Sequence, residues 1–230
     1  MAQIKTKEEI KKIKKACSAT DTIFNSILKQ DLKNMTEVSL RDFILEQINK
    51  KGLKSSFKPI VTSGRHAGNE IHPFDPRDVK LSGFVILDFG VVYEKYMSDM
   101  TRTIFVGMPT TEDEMLYNLI LRGQLLGVMH SRIGVRCSHV DNVVRESLGK
   151  YKKYFIHTLG HGVGTKIHES PRLYYKLTKP ILKENMVITI EPGIYIKNKL
   201  GIRIEDTCLI TKKGCISLTK SRKDLIVLPR

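Results

Sequence analysis

Residues 85–106 read VILDFGVVYEKYMSDMTRTIFV, two apolar runs on either side of a charged turn. This pattern predicts an antiparallel hairpin that turns near residues 94 and 95. With Tyr93 opposite Tyr96, the register of the whole hairpin is set. Asp88 then faces Thr101, and Asp99 lies diagonally across from Asp88 on the same face. Both acids stand among apolar residues, where an unpaired carboxylate is costly.

A second hairpin is predicted at residues 188–210, which read ITIEPGIYIKNKLGIRIEDTCLI. Its turn centres near Asn198, so that Glu191 and Glu205 lie opposite one another on a shared face. Glu191 holds the position in this hairpin that Asp88 holds in the first. The chain therefore offers two equivalent pairs of carboxylates, one in each half.

The rest of the chain repeats one order of elements in each half. Thr6 and Glu9 form a capping box for a helix that runs to about Leu28, and Thr111 and Glu114 form another at the start of a later helix. Further helices are predicted from Leu40 to Lys50 after Ser39, and from Ser138 to about Gly149. Extended segments are predicted at 57–62, 84–91, 96–106, 154–158, 186–196 and 202–210. The order helix, helix, strands in both halves predicts one α+β domain with pseudo-twofold symmetry.

Such symmetry would bring the four acids into one buried cluster. Four buried carboxylates cannot all stay charged without compensation, which multivalent cations supply. Oxygen ligands with one imidazole suit Mn²⁺, Fe²⁺, Co²⁺ or Zn²⁺, and two ions about 3.5–4 Å apart are the usual arrangement. The alternative is that the acids are exposed strand residues in ordinary ion pairs. Matched positions in two matched hairpins favour the metal site.

Three histidines lie in the segment FIHTLGHGVGTKIHE at residues 155–169. His161 stands between glycines that permit close approach of the backbone to a ligand, and it is the candidate nitrogen ligand. His157 and His168 flank it, and His72 precedes the first hairpin. A histidine near the metals could shuttle protons or stabilise a tetrahedral intermediate. For His157, a structural role is an equal alternative.

The composition restricts the remaining classes of protein. The chain has 230 residues and a formal net charge of +15. We favour a solvated lysine-rich surface over nucleic-acid binding, because the lysines are spread along the chain. No apolar run reaches the ~18 residues that a membrane span needs, and the charged residues 1–15 lack the apolar region expected of a secretory signal. Four scattered cysteines indicate a reducing, cytoplasmic setting.

Several motifs resemble the metallopeptidase family that includes prolidase, aminopeptidase P and methionine aminopeptidase. They are LDFG, SDMTRT, LGHGVG with IHE, EPGIY and GIRIED, which together cover nearly the whole chain. The resemblance implies the pita-bread fold of creatinase and the aminopeptidases, with an antiparallel sheet covered by helices. It also implies an exopeptidase with two divalent metal ions, acting on peptides with a free N-terminus.

The resemblance further implies a set of ligands. Asp88 and Asp99 would bind one metal, and Asp99, His161 and Glu191 would bind the other. Asp99 and Glu205 would bridge the two ions. Glu191 would also take the proton from the bridging water.

Other residues match positions that surround the substrate in this family. His72 and His168 match histidines that contact the substrate and stabilise the intermediate. Arg203 matches an arginine beside the last ligand, and Arg172 resembles an arginine that meets the dipeptide carboxylate in some microbial prolidases. We group Arg172 and Arg203 with His157 as candidate substrate-binding residues.

The short spacing between Glu191 and Glu205 is similar to the proline-directed branch, because methionine aminopeptidases carry a longer insertion there. We therefore expect hydrolysis of Xaa-Pro peptides. Removal of N-terminal methionine is the nearest alternative, and a non-catalytic binding module is an alternative of another class. Hydrolysis of a non-peptide C–N bond fits the fold but not the complete ligand set. We expect residues 1–230 to form a single catalytic domain without the N-terminal domain of prolidases, as a monomer or homodimer.

Overall fold

The computed structural model describes residues 4–69, 71 and 76–228, and His72 therefore lies outside the described residues. The α-helices in this part are α1 Lys7–Ile27, α2 Glu37–Lys50, α3 Thr111–His130 and α4 Cys137–Ser147. Short 3-10 helices cover Leu32–Asn34, His66–Gly68 and Gly149–Tyr154. The strands are β1 Lys54–Ser55, β2 Ile60–Ser63, β3 Gly83–Phe89, β4 Val91–Tyr93, β5 Tyr96–Met97, β6 Met100–Val106, β7 Gly160–Gly162, β8 Glu169–Leu173, β9 Val187–Ile190, β10 Gly193–Ile196, β11 Leu200–Arg203, β12 Asp206–Thr211, β13 Gly214–Ser217 and β14 Val227–Leu228.

The helix starts follow capping chemistry. The box of Thr6 and Glu9 opens α1 as predicted. Helix α2 begins earlier than predicted, because Thr36 is its N-cap and the Ser39 hydroxyl accepts from the Thr36 amide at 2.8 Å. Ser39 is thus the reciprocal partner in a capping box rather than the residue before the helix. The capping box of α3 is Thr110 with Asp113, one residue before the predicted pair, whereas α4 begins at Cys137 after Arg136, which makes no side-chain cap hydrogen bond.

Each half of the molecule has its own larger sheet. The sheet of the first half has the strand order β14-β6-β3-β2, in which β14 from the other end of the chain adds parallel to β6, and the sheet of the second half has the order β13-β12-β9-β7-β8. The apolar faces of α1 and α2 pack on the first sheet, and those of α3 and α4 contribute to the core beside the second. The repeated arrangement agrees with the predicted α+β domain of two similar halves.

The predicted registers of both hairpins are observed. Asp88 pairs with Thr101 across β3 and β6, and Tyr93 pairs with Tyr96 across β4 and β5. In the second hairpin, Gly193 pairs with Arg203 on one side of the acids, and Ile190 pairs with Asp206 on the other. Both pairings have the register that places Glu191 opposite Glu205. The second pair of acids therefore lies face to face.

The predicted strand at 154–158 is wrong. Tyr154 ends a 3-10 helix, and residues 155–158 form no strand. The carbonyl oxygens of Phe155 and His157 accept hydrogen bonds from the Arg145 side chain instead of from a neighbouring strand. The local sequence is apolar enough for a strand, but the Arg145 side chain on α4 occupies the carbonyl oxygens that a neighbouring strand would otherwise pair with.

None of the helices in the described part of the chain has the length and apolar character needed to cross a membrane.

Candidate metal centre

A cavity of about 600 Å³ opens where the two hairpins meet. Its wall contains four of the predicted acids together with three histidines. The lining residues are Phe57, Lys58, Ile60, Asp88, Asp99, His157, Thr158, His161, Ile167, His168, Arg172, Glu191 and Glu205. All five predicted metal ligands therefore face one space.

Three of these ligands approach each other closely. One donor atom from each of Asp99, His161 and Glu205 lies within 4.8 Å of the other two. The Nε2 atom of His161 is 3.3 Å from a carboxylate oxygen of Glu191 and 3.6 Å from one of Asp99. All four side chains are largely buried. An imidazole nitrogen and several carboxylate oxygens thus converge in a largely buried site, close enough together to share a metal ion.

The glycines around His161 are required by the neighbouring backbone. A Cβ atom on Gly160 would lie 2.0 Å from the carbonyl oxygen of Thr189, and one on Gly162 would lie 2.3 Å from that of Ser170. Close packing of the strands, rather than the approach of a ligand, therefore explains the Gly-His-Gly motif. His161 is held in register between β8 and β9, with its ring turned into the cavity.

Burial dominates the electrostatics of the cluster. It raises the pKa of Asp99 well above its usual range, and the charges of Asp88 and Glu191 add to this effect. It likewise raises the pKa of Glu205, together with the charge of Asp99. The pKa of Glu191 rises to about 8 through burial, against the lowering effect of Arg203. These carboxylates repel one another and require a cation to remain ionised together.

His161 is kept neutral by its surroundings. Burial lowers its pKa to about 3, and the nearby His168 contributes to the shift. Its Nδ1 atom lies 3.0 Å from the carbonyl oxygen of Gly162, which can only accept a hydrogen bond. Nδ1 therefore carries the proton, and Nε2 offers its lone pair to the cluster. This is the form of imidazole that binds metal ions.

The donor set fits divalent cations. Within residues 4–69, 71 and 76–228, Asp88 Oδ1 and Glu205 Oε1 are two of the three buried side-chain oxygens without a hydrogen-bond partner, and the third is Asp141 Oδ1 on α4. A buried carboxylate oxygen left in this way is costly, and metal coordination removes the cost. Because the first two atoms belong to predicted ligands, the cluster has coordination capacity that its own hydrogen bonds do not use.

Arg203 lies behind the carboxylates and is only 1% exposed. It donates to Asp88 Oδ2 at 2.6 Å, to Thr101 Oγ1 at 3.1 Å and to the Tyr195 hydroxyl at 2.6 Å. Thr101 in turn donates to Glu205 Oε2 at 2.6 Å. Arg203 is not among the residues that line the cavity in the described structure. Its contacts orient two ligands, and they differ from the substrate contact expected from the sequence.

The sequence pattern alone gives no role to Thr101 or Tyr195. The hairpin register placed Thr101 on the acidic face, which was the available signal for its contact with Glu205. Tyr195 had no such signal, because its partners come from segments far away in the sequence. Its hydroxyl accepts from Arg203 and lies 3.1 Å from Nε2 of His157.

The hydrogen bonds of the His157 ring are consistent with a single neutral tautomer. Its Nδ1 lies 2.8 Å from the carbonyl oxygen of Thr158, so this nitrogen donates. In the neutral ring Nε2 then accepts from the Tyr195 hydroxyl. His157 therefore serves both as part of the cavity wall and as a fixed member of a hydrogen-bond network.

His168 and Arg172 form the more open side of the cavity, and both are exposed. The His168 ring stands edge-on to the ring of His161, with 4.4 Å between centroids. Arg172 pairs with His161 across β7 and β8, so both side chains project from the same face of the sheet. Partial desolvation by the cavity wall and the charge of Arg172 lower the pKa of His168, which favours its neutral form.

The remaining wall comes from residues that the sequence analysis did not single out, namely Phe57, Lys58, Ile60, Thr158 and Ile167. Phe57, Lys58 and Ile60 lie outside the motifs, whereas Thr158 and Ile167 are the neighbours of His157 and His168 within the histidine segment, and no residue pattern marks any of them as a cavity wall.

With this geometry established, comparison with known proteins gives the family. The sequence profile of Metallopeptidase family M24 matches residues 11–212, and the chain belongs to this family. An uncharacterized peptidase of Methanocaldococcus jannaschii is 43% identical over 227 residues, which cover 96% of this chain and 65% of that protein. An Xaa-Pro dipeptidase of Pyrococcus furiosus is 39% identical over 227 residues, covering 97% of this chain and 65% of its own length.

Solved structures of similar fold come from the same kinds of peptidase as the sequence relatives. The structure of a recombinant prolidase from Thermococcus sibiricus superposes with a TM-score of 0.94 at 39% identity, covering 99% of this chain and 63% of that one. An X-Pro aminopeptidase of Thermotoga maritima gives a TM-score of 0.92 at 31% identity, covering 99% and 65%. The expected pita-bread fold is thereby confirmed. The chain spans 65% of the length of the two curated relatives above.

Proposed function

We propose that this chain is a metal-dependent exopeptidase that hydrolyses the first peptide bond of Xaa-Pro peptides. The observation that carries the proposal is the meeting of all five candidate ligands at one cavity, with His168 and Arg172 on its open side. Similarity to an Xaa-Pro dipeptidase of Pyrococcus furiosus supports the preference for proline. The short connection between Glu191 and Glu205 supports it as well.

Two divalent ions, Mn²⁺, Co²⁺, Fe²⁺ or Zn²⁺, would be held by Asp88, Asp99, His161, Glu191 and Glu205. Ions bound by these ligands would lower the pKa of a water toward ~7 and polarise the scissile carbonyl. The orphaned oxygens of Asp88 and Glu205 support this assignment.

The other steps fall to side chains of the chain itself. Glu191 would accept the proton of the attacking water and deliver it to the leaving nitrogen. His168 would donate a hydrogen bond to the carbonyl oxygen as negative charge develops there. Its exposed position on the open side of the cavity leaves it accessible to a substrate. His72 matches a residue with a related role and lies outside the described residues.

The far end of a dipeptide would meet a basic wall. Arg172 would bind the free carboxylate, for which a guanidinium is well suited. His157 would contact the substrate from the opposite segment of the wall, with its ring held by Tyr195. Arg203 would keep Asp88 and Glu205 oriented through the bonds described above.

A peptide panel tests this proposal. Chelator-treated protein should hydrolyse Ala-Pro and Met-Pro after addition of Mn²⁺, Co²⁺, Fe²⁺ or Zn²⁺. Ala-Pro-Pro distinguishes an aminopeptidase from a dipeptidase. Cleavage of Met-Ala-Ser alone would show that the proline preference is wrong. Absence of all hydrolysis by metal-loaded protein would contradict the exopeptidase assignment.

A matched pair of variants tests the ligands. Asp99→Ala should abolish both metal binding and hydrolysis, because Asp99 lies at the centre of the cluster. Asp42→Ala removes an exposed carboxylate that pairs with Arg41 on the surface, and it should change neither property. Retention of metal binding and hydrolysis by Asp99→Ala would refute the proposed ligand set.

A further inference from the structure

A buried ion pair on α4 lies behind the cavity wall. Asp141 is 0% exposed and Arg145 is 6% exposed, and Arg145 Nε donates to Asp141 Oδ2 at 3.0 Å. Neither side chain lines the cavity. Buried ion pairs are expensive to desolvate, so a pair retained in this position calls for a reason beyond stability.

The guanidinium of Arg145 holds one segment of the wall. Its Nη1 donates to the carbonyl oxygen of Phe155 at 2.6 Å, and its Nη2 donates to that of His157. The guanidinium carbon Cζ of Arg145 also lies over the Phe155 ring, 4.1 Å from its centroid. That ring meets the His157 ring edge-on, with 4.9 Å between centroids. Arg145 therefore fixes both the backbone and the packing surface of His157.

The carboxylate of Asp141 holds the second segment. Its Oδ2 accepts from the backbone amide of Tyr175 at 2.6 Å, just beyond the end of β8. Arg145 lies 4.9 Å from the Tyr175 ring. Three residues earlier on this segment, Arg172 projects into the cavity. The Asp141–Arg145 pair thus forms hydrogen bonds to both segments that carry candidate substrate-binding residues, the one with His157 and the one with Arg172.

We propose that Arg145, held by Asp141, is a positioning residue that sets the distance between the His157 and Arg172 segments of the cavity wall. The inference rests on the proposed function in taking this wall to bind the substrate. Arg145 contacts none of the metal ligands in the described structure, so its effect falls on substrate binding rather than on the metals.

Lysine is the informative replacement for Arg145. An ammonium group keeps a positive charge beside Asp141, so the buried carboxylate is not left unpaired. It lacks the planar fork that reaches Asp141 and the two carbonyls at 155 and 157 together. Arg145→Lys should therefore preserve the fold while releasing the wall.

The matched control is Arg136→Lys on the same helix. Arg136 is the exposed N-cap residue of α4, and its Nη1 donates to the carbonyl oxygen of Thr178 at 2.6 Å, away from the cavity. For Arg145→Lys we expect KM for Ala-Pro to rise roughly tenfold, with kcat and Mn²⁺ affinity within about twofold of wild type. For Arg136→Lys we expect no change in any of the three.

A second measurement does not depend on hydrolysis. The amides of Phe155 and Leu159 donate to Lys152 and Leu173. Their hydrogen exchange should be faster in Arg145→Lys than in Arg136→Lys. Unchanged KM, or a fall in kcat at unchanged KM, would overturn the inference.

If the metal-loaded wild type hydrolyses none of the panel, the proposed function is wrong, and exchange alone decides the inference. Faster exchange at Phe155 and Leu159 in Arg145→Lys then supports the positioning role. Exchange equal to that of Arg136→Lys refutes it.

Discussion

Replacement of Thr101 by valine should weaken metal binding without disturbing the fold. The Thr101 hydroxyl is fully buried, donates to Glu205 Oε2 at 2.6 Å and accepts from Arg203 Nε at 3.1 Å. The other carboxylate oxygen of Glu205 has no hydrogen-bond partner among the described residues. Valine has the same shape as threonine and removes only the hydroxyl. Glu205 then loses the hydrogen bond that orients it.

The expected magnitude follows from that single bond. A hydrogen bond to a charged group contributes about 1.5–3 kcal/mol. Since about 1.4 kcal/mol corresponds to tenfold in an equilibrium constant, Mn²⁺ affinity should fall by roughly 10–100-fold. Loss of a group that orients a metal ligand commonly costs about the same factor.

Thr103 provides a matched control on the same strand. It is equally buried, and its hydroxyl donates to the carbonyl oxygen of Arg203 at 2.7 Å and accepts from the Arg203 amide at 3.1 Å. Thr103→Val therefore removes two neutral backbone bonds to the same arginine and touches none of the ligands. It should lower the free energy of unfolding by about 1–3 kcal/mol and leave Mn²⁺ affinity within about threefold.

Calorimetric titration of chelator-treated protein with Mn²⁺ measures both variants, and urea unfolding reports their stability. If Thr101→Val binds Mn²⁺ as tightly as Thr103→Val does, the hydroxyl does not orient Glu205 and the reasoning is refuted.

Two further predictions follow from the same site. In chelator-treated protein the free energy of unfolding should fall from about pH 6.5 to 8, because folded Glu191, with a pKa of about 8, holds a proton that the unfolded chain has released. Folded His161 has a pKa of about 3, so its contribution to the free energy of unfolding is complete above the unfolded pKa of 6.5 and does not change in this range. Urea unfolding measures the effect, and a free energy of unfolding that rises between pH 6.5 and 8 would contradict the prediction. Gly160→Ala should cost about 3 kcal/mol or more, because its Cβ would lie 2.0 Å from the Thr189 carbonyl oxygen. Gly123→Ala within α3 meets side chains only from 3.5 Å outward and should change stability by less than about 1 kcal/mol, so equal unfolding midpoints would refute the packing argument.

Sequence periodicity was sufficient for the parts of the site that lie within one hairpin. The side-chain period of two fixes which residues share a face once the turn is located. For this reason Asp88 was correctly placed opposite Thr101, and Glu191 opposite Glu205. The helix starts were less accurate, because nearby hydroxyl residues offer competing caps, as Thr36 and Ser39 do at the start of α2.

Contacts between distant segments left no such pattern in the sequence. The apolar residues at 154–158 favour a strand, and only the side chain of Arg145 explains why their carbonyl oxygens are occupied. Tyr195 resembles any strand residue until Arg203 and His157 are seen on either side of its hydroxyl. Tertiary hydrogen bonds of this kind override local propensity.

The metal centre depends on bonds that cross between the two halves. Arg203 from the second hairpin holds Asp88 of the first, and Thr101 of the first holds Glu205 of the second. The Asp99 amide of the first hairpin likewise donates to the Thr207 hydroxyl of the second half, at 3.1 Å. Each of these bonds joins residues more than 100 positions apart. Asp88 and Glu205 are each oriented by a side chain of the other hairpin, so the symmetry that brings the acids together also supplies groups that orient them.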